Sequence, residues 1–516
     1  MKRQAAGCII ALLTLVIPAD TFAQTSPQPR SAYESIPGFS LAETPDELDR
    51  VAFVRHWFGP PKPASSPRAV LILVPGFFGG AEDFRYAGER LVRRLPWLQV
   101  WAVDRRNNLL ENRCGMETAQ ILRNPLAALA YYFGLQELPG CPLHGDPDES
   151  TWNGLSEFGL SQAEAQAVGM AEWGIATQLQ DLRLLVEFAH RQHRQARVFL
   201  GGHSLGGMTA QIFAAWRFGS TSATSGWHLI DGIVLIDGGV NGQAWGALVA
   251  QYFAERALVE SGVVYWDRLD LGRSPILTQF AEIGGMAASL MPAQESVLWQ
   301  LLPGPLAWPD ASTCPTNKAL LAAFTDDTSG NNPDFLLHQG TLSPPVGMCA
   351  APNQTRPLIH WVDFDRAIPP ELSSTDVFAG ALYKSTATNA QEWYFSIMLN
   401  AGIDLASNLD STVPSSHAGS TAVELEGHRV FDAASVAVPV YAFAAEECRE
   451  RFLWYESVSV SVPDFTLVDH SNIRCTSRAS VPYTHLDPLF AFDTGGFTNA
   501  FISSLAGWLR SHTRGP

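Results

Sequence analysis

Short apolar runs recur along the chain and alternate with stretches whose apolar residues have helical spacing. The six clearest runs lie at 69–74, 100–103, 198–200, 232–236, 438–443 and 465–468. Strands that are buried on both faces of a parallel sheet have this continuous apolar character. Leu182, Leu185, Val186 and Ala189 follow i, i+3, i+4, i+7 spacing, which predicts an amphipathic helix before the third run. The pattern therefore predicts an α/β fold with a mostly parallel sheet flanked by helices.

Two long stretches interrupt this alternation. Residues from about 111 to 170 form an insertion with Cys, Pro and Gly, and residues 241–435 lack a clear alternation of strands and helices. A segment as long as the second one is not expected as a loop within a compact domain. We therefore predict one sheet domain, formed by residues 46–240 and 436–516, and a large inserted cap or lid at 241–435. Residues 24–45 are rich in Ser, Pro and Thr and are predicted to be a mobile lead-in.

The N-terminal residues resemble a targeting sequence. Lys2 and Arg3 precede an apolar run at 8–17 that is too short to span a bilayer, and Thr21-Phe22-Ala23 then offers small residues at the positions that a signal peptidase reads. This order is typical of a cleavable signal peptide, so we predict that residues 1–23 are removed and that the protein is secreted or periplasmic. No later run is long and apolar enough for a transmembrane segment.

The cysteines fit an exported protein. The sequence has 7 Cys, and removal of Cys8 with the signal peptide leaves an even number. An even number of Cys in an exported chain predicts disulfides, and of the possible connectivities we choose the one that joins nearest neighbours. The predicted pairs are Cys114–Cys141, Cys314–Cys349 and Cys448–Cys475. Neither Cys-x-x-Cys nor His-Glu-x-x-His occurs, so no metal site is expected.

Composition excludes several classes of protein. The 516 residues are 46% apolar and include 15 Trp, which is far too much hydrophobic material for a disordered chain. With 51 acidic and 34 basic side chains, the formal net charge is −17. This charge argues against nucleic acid or an anionic membrane surface as a partner, because both attract clustered cationic side chains.

The pentapeptide at 202–206, Gly-His-Ser-Leu-Gly, is the first candidate for chemistry. An apolar strand ends directly before it, and a helical pattern from 208 to 217 follows. A nucleophile elbow requires this order of strand, sharp turn and helix, since the turn presents the serine at a strained backbone conformation. The glycines two positions before and after the serine avoid collisions in such a turn. Ser204 is therefore the candidate nucleophile.

With this motif, the chain resembles the α/β-hydrolase superfamily in its lipase and esterase branch. Many of those enzymes carry Gly-His-Ser-Leu-Gly-Gly, and the resemblance covers the strands from about residue 50 to the C-terminus, without the segment 241–435. It implies an α/β-hydrolase fold and an enzyme that needs no metal or organic cofactor. The implied partner is a small-molecule or lipid-like ester.

Acyl transfer by serine requires hydrogen-bond donors for the oxyanion. The backbone N–H of Leu205, directly after the nucleophile, is one candidate. The other follows the strand at 69–74, where Pro-Gly-Phe-Phe-Gly-Gly stands at the position that carries His-Gly-x or Pro-Gly-x in similar enzymes. The resemblance implies that the backbone N–H of Phe77 is the second donor.

The serine also needs a general base late in the chain. His485 follows the run at 465–468, precedes a helical segment at 497–509, and lies in a His-x-Asp pattern that resembles the surroundings of the catalytic histidine in lipases. His470 is the alternative because it lies directly at the end of that strand.

A carboxylate must orient the histidine, and the sequence leaves its identity open. The usual arrangement of the superfamily places it after the last strand but one, where Glu446 and Glu447 follow the run at 438–443, with Glu447 slightly preferred. A less common arrangement places an Asp one strand earlier, and Asp237 fits that position.

These residues predict an exported serine hydrolase of carboxylic esters. The segment 241–435 is rich in tryptophan, which either lines a pocket for a hydrophobic acyl or aromatic ester or fills the core of the cap itself. Its members are Trp245, Trp266, Trp299, Trp308, Trp361 and Trp393. The same residues are compatible with a peptidase, a polyester depolymerase or an acyltransferase, and, as a different class, with a non-catalytic binding protein on the hydrolase fold.

Overall fold

The structure of the protein is a computed structural model. It describes residues 27–60, 67–76, 79–110, 113–132, 138, 140–141, 167–239, 257, 261, 276–296, 298–299, 308, 312–326, 337–350, 355–363, 373–384, 435–445, 464–470, 483–493 and 498–513.

The described strands fall into one large sheet and two small ones. In chain order they are β1 (Gln28–Pro37), β2 (Arg50–Gly59), β3 (Ala69–Val74), β4 (Leu98–Asp104), β5 (Arg197–His203), β6 (Gly232–Ile236), β7 (Cys314–Pro315), β8 (Gly340–Leu342), β9 (Gly347–Met348), β10 (Pro357–Ile359), β11 (Trp361–Asp363), β12 (Val440–Ala444) and β13 (Phe465–Asp469).

Longer helices and short 3₁₀ turns connect these strands. The described α-helices are α1 (Arg85–Arg94), α2 (Cys114–Leu122), α3 (Pro125–Tyr132), α4 (Ile175–Gln192), α5 (Leu205–Ala215), α6 (Ile276–Leu290), α7 (Asn317–Thr325), α8 (Thr375–Lys384), α9 (Asp487–Phe490) and α10 (Ala500–Thr513). The 3₁₀ helices are Ala81–Phe84, Arg106–Leu110, Met170–Glu172, Ser222–Thr224 and Gly226–Leu229.

The large sheet has eight described strands in the order β1-β2-β4-β3-β5-β6-β12-β13. Strand β2 runs antiparallel to both of its neighbours, and every pair from β4 to β13 is parallel. This strand order, with helices in the crossover connections, is the α/β-hydrolase fold. The predicted fold class is therefore confirmed.

The central strands are buried on both faces. In β3, Val70, Ile72 and Val74 contribute to one hydrophobic core, and the alternate residues Leu71 and Leu73 contribute to the other. Helices α4 and α5 cover the first face, whereas α1 and α10 cover the second. Because neither face of β3 contacts water, every position of this strand is apolar, and the same burial explains the other continuous apolar runs in the sequence.

The predicted strands agree with the structure, with small shifts at their ends. The runs at 69–74 and 232–236 coincide with β3 and β6, and the predicted helix around 182–189 lies within α4. Strand β12 begins at Val440, directly after Pro439, whose carbonyl oxygen accepts a hydrogen bond from the N–H of Ile233 at 2.9 Å. Proline has no N–H to donate to the sheet, so the regular pairing begins at the next residue.

The prediction of a mobile lead-in at residues 24–45 is wrong for residues 28–37. These residues form β1 and pair with β2 along its whole length, so the sheet begins before residue 46. Strand β1 lies at the edge of the sheet, where its side chains alternate between more and less exposed positions. Backbone pairing at an edge needs no continuous apolar run and tolerates Pro29 and Pro37, so composition concealed the strand.

Two of the three predicted disulfides are present. Cys114 pairs with Cys141 and Cys314 pairs with Cys349, with Cα atoms 5.5 Å and 6.3 Å apart. The predicted third pair, Cys448–Cys475, lies outside the described residues.

The two stretches that interrupt the sheet pattern share a hydrophobic cluster. Met116 and Ala128, from the first insertion, belong to the same cluster as Met286, Trp308 and Trp361. Helices α6 and α8 also pack closely together, since a Cβ atom added to Gly285 would lie 2.7 Å from the Cβ of Leu382. The division of the chain into a sheet domain and a cap at 241–435 stays a prediction. Within the described residues, none of the helices is long and apolar enough to cross a bilayer.

One buried histidine makes the fold sensitive to acid. His56 lies within β2 and is fully buried, and a Cβ atom added to Gly88 of α1 would lie 2.9 Å from the His56 ring. Neither of its ring nitrogens has a hydrogen-bond partner among the described residues. Burial, assisted by the charge of Arg85, lowers the pKa of His56 to about 3. The unfolded chain therefore binds this proton more readily than the folded chain, and His56 lowers stability as the pH falls below about 6.5.

We expect His56→Leu to remove part of this acid sensitivity. Between about pH 7 and pH 5, His56 takes up a proton in the unfolded chain but not in the folded one. This uptake lowers the free energy of unfolding of the wild type by about 2 kcal/mol, and the variant lacks this contribution. Guanidinium denaturation of both proteins at the two pH values measures the difference. Other titrating groups, such as His203, affect both proteins alike. The same pH dependence in wild type and variant would contradict the prediction.

Candidate active site

Ser204 occupies a sharp turn at the end of β5. The strand ends at His203, helix α5 begins at Leu205, and Ser204 lies between them at φ 52° and ψ −119°. A positive φ is unfavourable for a residue with a side chain and persists where the surroundings hold it. Here the N–H of Ser204 donates to the carbonyl oxygen of Ile236 at 2.9 Å, which fastens the turn to the end of β6. The sharp turn that the sequence predicts is therefore present.

Glycines allow three strand ends to meet around this turn. A Cβ atom added to Gly202 would collide with the backbone of Gly206, and one added to Gly206 would collide with the carbonyl of Val74 at the end of β3. At Gly238, just past β6, the added atom would collide with the backbone of Ser204 itself. The close approach of these backbones places the ends of β3, β5 and β6 next to one another.

His485 and Asp237 form a buried pair. Asp237 directly follows β6 at φ 40°, and both side chains are buried. The Nδ1–H of His485 donates to Oδ2 of Asp237 at 2.6 Å, and Oδ1 accepts from the backbone N–H of Ala445 at 2.6 Å. The carboxylate thus favours the tautomer with the proton on Nδ1, which has its acceptor lone pair on Nε2.

His203 connects this pair to the serine turn. It immediately precedes Ser204, and its Nε2–H donates to the backbone carbonyl oxygen of His485 at 2.8 Å. The centroids of the two imidazole rings are 4.5 Å apart. Burial, together with the neighbouring His485, lowers the pKa of His203 to about 3, so His203 stays neutral and keeps donating. The structure thereby places the pair of His485 and Asp237 next to the turn that carries Ser204.

The remaining candidates are placed as follows. Leu205 is the first residue of α5, where backbone N–H groups lack partners within the helix and the helix dipole favours negative charge. His470, the alternative base, stacks on the ring of Phe443 with centroids 5.3 Å apart. Phe77, Glu446 and Glu447 lie outside the described residues.

Arg105 belongs to the polar stretch 104–108, for which the sequence favours structural ion pairs over a catalytic role. It follows β4 and is buried, and its Nη2 donates to the carbonyl oxygens of Gly76 and Gly79, both at 2.9 Å. These two glycines flank the segment that contains Phe77. The sequence alone gives only a weak signal that Arg105 binds the loop after β3, because an arginine after a buried strand also occurs in ordinary ion pairs.

One group of side chains has the composition of a metal site but does not fit a metal. Among the described residues, potential ligand atoms of Glu295, Cys314 and Cys349 lie within 4.8 Å of one another. The two cysteines are joined in a disulfide, so neither sulfur is a thiolate, which is the form of cysteine that binds metals.

The described tryptophans of the segment 241–435 face its interior. Trp299, Trp308 and Trp361 are buried in the same hydrophobic cluster as the disulfide Cys314–Cys349. They lie in the hydrophobic cluster that this segment shares with the first insertion, which favours the second of the two alternatives from the sequence, a role in the core. Trp245, Trp266 and Trp393 lie outside the described residues.

Comparison with known proteins gives distant structural likenesses and no match in sequence. No protein-family model matches the chain, and no curated protein sequence matches it. Similar solved structures include a protein of Sulfolobus solfataricus described as a lipase, with 13% identity, TM-score 0.44, and coverage of 94% of this chain and 95% of that one. A thermostable carboxyl esterase from Bacillus coagulans has 11% identity and TM-score 0.36 over 94% of this chain and 99% of the other. A soluble variant of monoglyceride lipase from Saccharomyces cerevisiae has 11% identity and TM-score 0.38 over 96% and 100%. These likenesses are low, and the strand order described above carries the assignment of the fold.

We expect Gly238→Ala to destabilise the protein strongly. Its methyl group would overlap the backbone of Ser204, and two rigid strand ends cannot separate without loss of their hydrogen bonds. Overpacking of this kind costs about 1–3 kcal/mol or more in free energy of unfolding. Denaturant unfolding measures the loss.

Gly507→Ala is the matched control. Gly507 lies on the exposed side of α10, with nothing within 4 Å of an added Cβ atom. Alanine in a helix is favoured over glycine by about 0.5–1 kcal/mol, so this variant should gain stability. A Gly238→Ala protein as stable as the wild type would contradict the proposed close contact.

Proposed function

We propose that the protein is a serine hydrolase that cleaves carboxylic esters, with Ser204 as nucleophile, His485 as general base and Asp237 as the acid that orients His485. The observation that carries this proposal is the buried hydrogen bond from His485 Nδ1 to Asp237, next to a serine held in a strained turn. A serine hydroxyl needs an adjacent base, and that base needs a third group to hold its tautomer.

In this mechanism, the Oγ of Ser204 attacks the ester carbonyl carbon while Nε2 of His485 accepts the hydroxyl proton. The imidazolium that forms is stabilised by the carboxylate of Asp237, which stays ionised. The tetrahedral intermediate collapses, and the alcohol leaves with the proton from Nε2. A water molecule then attacks the acyl-enzyme with His485 again acting as base, and releases the carboxylic acid.

Two backbone N–H groups stabilise the oxyanion in the proposal. The N–H of Leu205 lies at the start of α5, where the positive end of the helix dipole adds to its effect. The second donor is the N–H of Phe77. The contacts of Arg105 with Gly76 and Gly79 support this assignment, because they fix both ends of the segment that carries Phe77.

Asp237 is proposed as the acid in preference to Glu447 or Glu446. Its carboxylate accepts from His485 and from the N–H of Ala445, so it is held in one orientation by two donors. This is the less common position in the superfamily, one strand earlier than the usual one.

We further propose that the enzyme is exported through a signal peptide at residues 1–23 and acts on hydrophobic acyl or aromatic esters. The disulfides Cys114–Cys141 and Cys314–Cys349 support export, because oxidising compartments preserve disulfides. The net charge of −17 favours neutral or apolar substrates over anionic ones.

Reaction with a fluorophosphonate probe tests the serine mechanism. We expect the wild-type protein, purified without residues 1–23, to be labelled, and Ser204→Ala to be unlabelled although it folds. Hydrolysis of p-nitrophenyl esters of increasing acyl length tests the substrate class in the same preparation, and we expect the rate to rise with chain length. Absence of labelling in the wild type would overturn the proposed function. A flat response to chain length would overturn the proposed preference for hydrophobic esters alone.

The acid is tested by exchanging each carboxylate for its amide. In Asp237→Asn, the amide no longer stabilises the imidazolium, and we expect the kcat for ester hydrolysis to fall by about a thousandfold or more. Glu447→Gln is the control, with an expected change of less than about threefold. The opposite result would identify Glu447 as the acid.

A further inference from the structure

Asp487 lies two residues after His485 and is fully buried. Its Oδ2 accepts two hydrogen bonds from Thr484, from the backbone N–H at 2.8 Å and from the hydroxyl at 2.9 Å. The N–H of Asp487 donates back to the carbonyl oxygen of Thr484 at 3.2 Å. One oxygen of this carboxylate therefore closes the tight turn that contains His485.

The other oxygen of Asp487 binds the segment predicted to form the cap. Oδ1 accepts from the backbone N–H of His338 at 3.0 Å and from the hydroxyl of Ser373 at 2.6 Å. The N–H of Ser373 donates to the carbonyl oxygen of His338 at 2.7 Å, so the two cap positions are also joined to each other. Ser373 further forms an antiparallel bridge with Ala491, just after α9.

The physical cost of burying a carboxylate couples the two sides. A buried carboxylate is stable where hydrogen-bond donors surround it, and bonds to an ionised acceptor are stronger than those between neutral groups. If the cap positions moved away, Oδ1 would lose both of these charge-assisted hydrogen bonds. The turn with His485 and the cap positions 338 and 373 therefore have one favourable relative position.

We propose that Asp487 is a positioning residue through which the docked cap holds His485 in place for catalysis. The inference rests on the proposed function, since it assigns His485 as the base. The ring of His485 is oriented by Asp237, and its backbone is fixed by His203 and by the turn that Asp487 closes. The predicted cap segment thus takes part in building the catalytic geometry.

Four substitutions, of which one is a control, separate this role from a merely structural one. Asp487→Asn keeps the shape of the side chain but replaces one acceptor oxygen by a donor. Ser373→Ala removes the hydroxyl donor of the cap and leaves Thr484 and Asp487 unchanged, while Ser373→Thr retains the hydroxyl. Asp181→Asn is the control for loss of a buried carboxylate, because Asp181 pairs with Arg106 and Phe39 in another part of the protein.

The measurements are the rate of labelling of Ser204 by a fluorophosphonate, kcat and KM for p-nitrophenyl butyrate, and hydrogen exchange of residues 337–340 and 373–378. Misplacement of a catalytic group by about 1 Å costs on the order of a hundredfold in rate. We expect labelling to slow by about a hundredfold in Asp487→Asn and about tenfold in Ser373→Ala, with kcat falling more than KM changes. Exchange should become faster in both cap segments.

Ser373→Thr should restore labelling to within about twofold of the wild type, and Asp181→Asn should stay within the same range even if its melting temperature falls. Wild-type labelling rates in folded Asp487→Asn and Ser373→Ala would overturn the proposal. Faster exchange without slower labelling would also overturn it, because the cap contact would then be structural only.

If Asp487→Asn does not fold, the comparison of the labelling rates of Ser373→Ala and Ser373→Thr tests the proposal. A wild type that is not labelled at all refutes the proposed function instead, whereas unchanged exchange in the variants refutes the cap contact by itself.

Discussion

The hydrogen bond between His485 and Asp237 joins positions that are 248 residues apart in the chain. A carboxylate buried at this depth is stable when donors occupy its oxygens, and the second donor is the N–H of Ala445. Asp237 follows β6 and Ala445 follows β12, so the hydrogen bond between these two residues depends on the parallel register of the two strands. A shift in that register would separate the N–H of Ala445 from the carboxylate of Asp237, so the carboxylate that orients His485 constrains the alignment of the sheet.

The backbone around this bond is held in unfavourable conformations. Ser204 and Asp237 both have positive φ, although neither is glycine. Such conformations persist where the surrounding structure over-determines them, and they occur more often at functional sites than elsewhere. Here hydrogen bonds between the strand ends hold the two residues in these conformations, and glycines at 202, 206 and 238 allow the backbones to approach closely. The strain is local, and the large buried sheet supports it.

Much of the fold followed from the sequence, and the failures have physical causes. Continuous apolar runs predicted the central strands correctly because those strands are buried on both faces and therefore consist mostly of apolar residues. The edge strand β1 escaped notice because its stability comes from backbone pairing with β2 and its side chains are largely exposed. Two disulfides were correct because Cys114 and Cys314 each pair with the next cysteine along the chain.

The sequence by itself determined the central strands β3 to β6, β12 and β13 and the turn that presents Ser204, because these depend on residues that are close together in the chain. It also indicated His485, since the position after the last strand is where the fold requires a base. Which carboxylate meets His485 was left open, because Asp237, Glu446 and Glu447 all follow apolar strands and look alike locally. Only the tertiary structure brought Asp237 to the ring of His485 and Asp487 to Ser373, because contacts across hundreds of residues depend on how the strands are ordered and aligned in space.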